Sequence, residues 1–160
     1  QAFVLLDGLV EEADEADMRI ISSQLRVHRG EARVKRGDFE GGADDLAVGI
    51  QHLQEEGHMP VLGEACIARA RALEGREDPD LSFGPVLHWL AEEPVLSVRI
   101  EYLLASASYA ACVGERARAQ RYWREAELVF GDLQIGMEPA DRAALSIHPW
   151  AVKIRKGLRT

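Results

Sequence analysis

Five histidines stand at 28, 52, 58, 88 and 148 and two cysteines at 66 and 112. A zinc site needs three or four such ligands at suitable spacing, and no cluster of that kind occurs. Glu55 and His58 have the Glu-x-x-His spacing of di-iron bundles, but Gly57 intervenes at an expected helix end and no second copy exists. Nucleophilic catalysis by Cys66 or Cys112 would require a nearby histidine and an electropositive, partly exposed setting, which nothing in the sequence supplies. Neither a Gly-x-Ser-x-Gly elbow nor a Gly-x-x-x-x-Gly-Lys phosphate loop is present. The expectation is a segment that is not an enzyme, with no catalytic residue, no metal and no cofactor.

Charge is the other chemistry on offer. Arg26, Arg29, Arg33 and Arg36, spaced 3, 4, 3, share one helical stripe, and Asp7, Glu11, Glu12, Asp14, Glu15 and Asp17 precede them. Either these segments pair within the chain or the arginines form an anion-binding stripe. With 19 Lys plus Arg against 27 Asp plus Glu, the net charge of −8 disfavours nucleic acid as a partner. The basic tail Lys153, Arg155, Lys156, Arg159 reads as a solvated helix end or the start of a linker. Trp89, Trp123, Trp150, Tyr102, Tyr109 and Tyr122 lie in helical patterns with apolar neighbours and read as packing residues.

The elements that position these groups are helices. Asparagine is absent, threonine occurs only as Thr160, and Ala, Leu, Arg and Glu dominate, a composition that favours helix over sheet. Prolines 60, 79, 85, 94, 139 and 149 read as punctuation where helical patterns begin or end. Helices are expected at about 2–14, 17–36, 38–55, 60–74, 84–93, 95–113, 115–131, 139–146 and 149–157. The length, 160 residues with 47% apolar content, suits one self-folding domain. Both cysteines read as core thiols in a reducing compartment. The absence of an 18-residue apolar run and of a leader pattern points to a cytoplasmic chain with no membrane partner. The start at Gln1, without methionine, suggests a piece of a larger protein.

Phe39, Ala43, Leu46, Ile50 and Leu53, spaced 4, 3, 4, 3, share one face, flanked by Gly42 and Gly49. Two glycines inside a helix, each costing about 1 kcal/mol against alanine, imply close approach by a neighbouring helix. A small-residue cadence recurs three times: Gly30 then Gly37, Ala68 then Gly75, Ala107 then Gly114. The units repeat at 75 − 37 = 38 and 114 − 75 = 39 residues, a helical-solenoid period. Gly42 and Gly49 follow the first turn glycine at the offsets at which Ala119 and Ala126 follow the third.

On these residues, with Gly37-Asp38-Phe39-Glu40 and the looser Gly114-Glu115-Arg116-Ala117, Trp123 and Ala126, the chain resembles the tetratricopeptide repeat family. The long units are similar to those of large bacterial signalling and regulatory proteins. In the family register Arg26, Arg29 and Arg33 take positions of large apolar residues, so the first copy is distorted or its first helix rotated. The second copy carries an insertion from Arg76 to Phe83.

The resemblance implies one all-α domain over 1–160, an α-α superhelix of antiparallel hairpins. Residues 1–19 would form a partial N-terminal helix, about 20–131 three repeats, and 137–160 capping helices anchored by Trp150. It further implies a groove lined by Gln24, Val27, His28, Glu31, Val34 and Lys35 in the first copy and by Glu101, Leu104 and Ser108 in the third, with Ala111 and Cys112 alongside. Such a surface suits a protein or peptide partner; alternatively it is solvated or covered by the C-terminal helices. The expected function is a non-catalytic protein-interaction scaffold. The rivals are an effector or small-ligand sensor coupled to an output domain and a self-associating element that forms a homodimer.

Overall fold

A computed structural model describes residues 2–92 and 95–160, and every regular element among them is helical. The helices are α1 (Ala2–Glu15), α2 (Arg19–Lys35), α3 (Phe39–Glu55), α4 (Met59–Ala72), α5 (Pro79–Glu92), α6 (Leu96–Cys112), α7 (Arg116–Leu133), α8 (Pro139–Ser146) and α9 (Pro149–Gly157). None of them is long and apolar enough to cross a membrane. Pro94 and the expected end of the fifth helix at 93 lie outside the described residues.

One expectation about the middle of the chain is corrected. The stretch read as an insertion holds the first turns of α5, which begins at Pro79, and Pro85 lies inside that helix. Pro79 opens α5 where a missing N–H costs nothing, and the helix continues through Pro85, where sequence alone places a boundary.

Short turns separate the helices, and four of them close in the same way. Asp38 N–H donates to Arg33 O (3.1 Å) and Gly37 N–H to Val34 O (2.9 Å). This places Gly37 at φ +90°, a left-handed conformation that strains any residue with a Cβ. Glu115 N–H reaches Ala110 O (2.8 Å) around Gly114 at φ +85° in the same pattern. Gly57 and, without glycine's freedom, Asp17 at φ +53° serve the other two.

The chain forms two compact units: Gln1–Leu73 with Ser82–Trp89, and Glu74–Leu81 with Leu90–Thr160. In the first, α2 and α3 pack as an antiparallel hairpin, α1 lies on α2, and α4 packs against both α2 and α3. The hairpin is tight enough that a Cβ on Gly42 would come within 2.5 Å of Val34 Cγ2, one on Gly30 within 2.7 Å of Leu46 Cγ, and one on Gly49 within 2.9 Å of Ser23 O. Leu46, Ile50 and Leu53 of the apolar stripe are buried, while Phe39, in the first turn of α3, is 37% exposed. Asp38 caps α3 by accepting from Gly41 N–H at 3.1 Å.

In the second unit α6 and α7 form the corresponding hairpin, α9 packs against both, and α8 lies on α9. Its core joins Ile100, Leu103, Leu104, Ala107 and Ala110 to Ala119, Trp123, Ala126, Val129 and Phe130, with Ala151 and Ile154 from α9. Ala119 and Ala126 are buried. Cys66 is a core thiol, but Cys112 is exposed, because it ends α6 at the rim of the turn.

Candidate functional site

The arginine stripe is an internal clamp. Arg29 binds the buried Asp45 through two parallel bonds (Nε to Oδ2, 2.8 Å; Nη2 to Oδ1, 2.6 Å) and reaches Asp7 of α1 with Nη1 at 3.0 Å. Arg33 adds a contact to Asp45 Oδ2 at 3.1 Å, and Arg26 pairs with Asp14, which also accepts from Ser22 Oγ. The bond from Ser22, ahead of the charge of Arg26, holds the Asp14 carboxyl below its usual range; the bonds from Asp45 raise the Arg29 guanidinium further. Three of the stripe's four arginines thus spend their charge on carboxylates of α1 and α3. Asp45 is the buried partner that accommodates Arg29 and Arg33 between α2 and α3, while Arg26 turns to Asp14 of α1. Sequence reading passed over Asp45, although an acid on the glycine-flanked face of α3 opposite an arginine stripe was a usable signal.

Beside the clamp, α2 and α4 leave a groove of about 300 Å³. Gln24, Val27, His28 and Glu31 line it from α2, Leu53 from α3, and Val61, Glu64, Ala65, Ile67, Ala68 and Arg71 from α4. Its floor is apolar and its rim polar, with His28 Nδ1 at 3.7 Å from Glu31 Oε2. Of the six first-copy residues expected here, four line the groove. Val34 is buried against Gly42 and Lys35 is exposed beyond the groove. The α4 wall, whose residues 61, 64, 65, 68 and 71 fall on one helical face, went unnamed at the sequence level apart from Ala68.

The face of α6 is arranged differently. Glu101 is buried and accepts the indole N–H of Trp150, Leu104 belongs to the core, and Ser108 hydrogen-bonds to Glu74. Glu74 also binds Lys153 Nζ of α9. Burial disfavours the Glu74 carboxylate, but the bonds from Lys153 and Ser108 outweigh it, and the group titrates below its ordinary value. At the other end of α9, Gly157 lies so close to Trp123 that a Cβ would sit 2.2 Å from its Cε2, and Gln120 Nε2 donates to Gly157 O at 3.2 Å. His148 starts α9, accepting from Trp150 N–H at 3.3 Å and meeting the indole edge-on with ring centres 4.5 Å apart. The C-terminal helix therefore packs over the Glu101 and Leu104 end of this face, where Trp150 meets Glu101, while Ala111 and Cys112 at the other end are exposed.

A second hollow of about 240 Å³, missed in the sequence, lies among Asp14, Met18, Arg19, Ser22, His52, Glu55 and Glu56. Arg19 spans Asp17 (3.6 Å) and Glu56 (3.5 Å) at its edge. No three or more His, Cys, Asp or Glu side chains among the described residues are grouped to hold a metal ion. Burial pushes the Cys66 thiol up to about 12, which suits packing and not nucleophilic attack. Comparison with known proteins found no matching family model, no matching curated protein and no matching solved structure.

Proposed function

We propose that this chain is a non-catalytic binding module of the tetratricopeptide-like kind, an α-α superhelix of hairpins that holds a protein or peptide partner in the α2/α4 groove. In this reading it serves a bacterial signalling or regulatory protein in the cytoplasm. The observation that carries the proposal is the groove itself: an apolar floor of Val27, Leu53, Ala65 and Ala68 between polar rims, left open by its own side chains. A surface of that composition holds a ligand by apolar contact and orients it by the flanking polar groups. The sensor reading draws less support, because the arginines it would use are engaged with Asp7, Asp14 and Asp45.

The test is peptide display selection on the folded chain, followed by affinity measurements on Ala68→Arg, whose long side chain would enter the groove, and on Lys35→Glu outside it. Selected peptides should lose at least tenfold in affinity on Ala68→Arg and little on Lys35→Glu. No enrichment, or equal binding by Ala68→Arg, would remove the groove from the account.

A further inference from the structure

The two units place matching residue types around α2 and α6. The offset that takes Gly30 and Gly37 onto Ala107 and Gly114 also takes Gln24 onto Glu101 and Glu31 onto Ser108. A second constant offset takes Pro60, Leu62 and Ala65 of α4 onto Pro149, Ala151 and Ile154 of α9, two prolines in the first turn and two pairs of buried residues. It sets Val61 against Trp150 and Glu64 against Lys153. In the second unit the wall fills its own groove: the Trp150 indole N–H binds Glu101, and Lys153 binds Glu74, which Ser108 also holds. In the first unit the equivalents of those wall residues are a short aliphatic side chain and an acid, and the space beside Gln24 and Glu31 remains open.

We propose that the α2/α4 groove takes a short peptide in the polyproline II conformation carrying a tryptophan and, three residues on, a lysine or arginine; this rests on the binding role proposed above. The indole fills the space that Trp150 fills in the other unit, donating its N–H to Gln24 Oε1, and the cation sits against Glu31 and Glu64. Gln24 and Glu31 are seven helical residues apart, about 10.5 Å along the axis at 1.5 Å per residue. Three residues of polyproline II, an extended left-handed helix with three residues per turn, span about 9 Å and bring residue i+3 back to the side of residue i, so a Trp-x-x-Lys segment matches that distance with both side chains facing the groove. The rim's two carboxylates outnumber its one arginine, Arg71, which favours a basic ligand.

The experiment titrates two labelled eight-residue peptides of equal length, one with Trp-Ala-Ala-Lys and one with Leu-Ala-Ala-Glu at its centre, into the intact chain by fluorescence anisotropy. The first should bind at least tenfold more tightly, Glu31→Lys should weaken it about tenfold, and a Trp-Ala-Ala-Glu peptide should recover binding to Glu31→Lys. That recovery shows the variant to be folded. Equal binding of the two peptides, with no effect of Glu31→Lys, overturns the ligand chemistry even where display selection has succeeded. Failure of the first peptide to bind while displayed peptides do bind likewise overturns it and leaves the groove standing.

Discussion

The α2/α3 and α6/α7 hairpins solve one packing problem with different chemistry. Where the first puts Arg26, Arg29, Arg33 and Asp45, the second puts Leu103, Ser106, Ala110 and Tyr122 at the same offset. The first hairpin is joined at Arg29, Arg33 and Asp45 by a partly buried ion cluster, with Arg26 turned to Asp14 of α1, and the second largely by apolar contact. A buried ion pair gains little over an apolar contact of equal volume, but it is costly to break from one side. The first hairpin is therefore more sensitive to single changes, and it is also the one that keeps its groove open. In the second, Trp150 of α9 lies against buried Glu101.

The largest expected effect comes from breaking the cluster. Asp45→Ala leaves the Arg29 and Arg33 guanidiniums short of their partner and should cost about 3 kcal/mol, a fall in Tm of roughly 10 °C for a chain of this size, read by thermal or urea unfolding. Replacing the cluster with its counterparts, R26L, R29S, R33A and D45Y together, should cost far less than Asp45→Ala alone. If the fourfold variant is the worse of the two, the equivalence of the hairpins is wrong.

Next comes the anchor. Trp150→Ala removes a half-buried indole and the partner of buried Glu101, and should cost about 2 kcal/mol. Amide exchange in α9 should accelerate more than in α2 or α3; uniform acceleration would mean that α9 is not held locally by this contact.

The smallest effect is a pH dependence. Glu74 titrates lower in the folded chain than its ordinary 4.5, so its contribution to holding Lys153 is complete above about pH 4.5 and is lost as the pH falls through the lowered value. Glu74 is partly exposed, so the loss is modest. It should appear as weaker protection of α9 in acid that Glu74→Gln abolishes. Identical acid profiles for the two proteins would remove this link.

The helices were legible in the sequence because proline, glycine and apolar spacing act locally: eight of the expected segments lie within a few residues of α1 to α4 and α6 to α9. The fifth was misplaced at its start because Pro85 signals a break by itself, while the surrounding helix tolerates it. Gly30, Gly42 and Gly49 announced the tight hairpin, since only the absence of a side chain permits those distances. One wall of the groove was legible through the cadence on α2. The other was not, because which face of α4 meets α2 depends on contacts between helices distant in sequence. The burial of Glu101 under Trp150, 49 residues away, was hidden for the same reason.

The central claim is that the α2/α4 groove is the open form of a site that α9 closes with its own side chains, and moving the closing residues tests it most directly. The double variant Val61→Trp, Glu64→Lys should raise Tm and abolish binding of the Trp-Ala-Ala-Lys peptide, because the groove would then be filled from its own wall. An unchanged or lower Tm with peptide affinity retained would contradict the account.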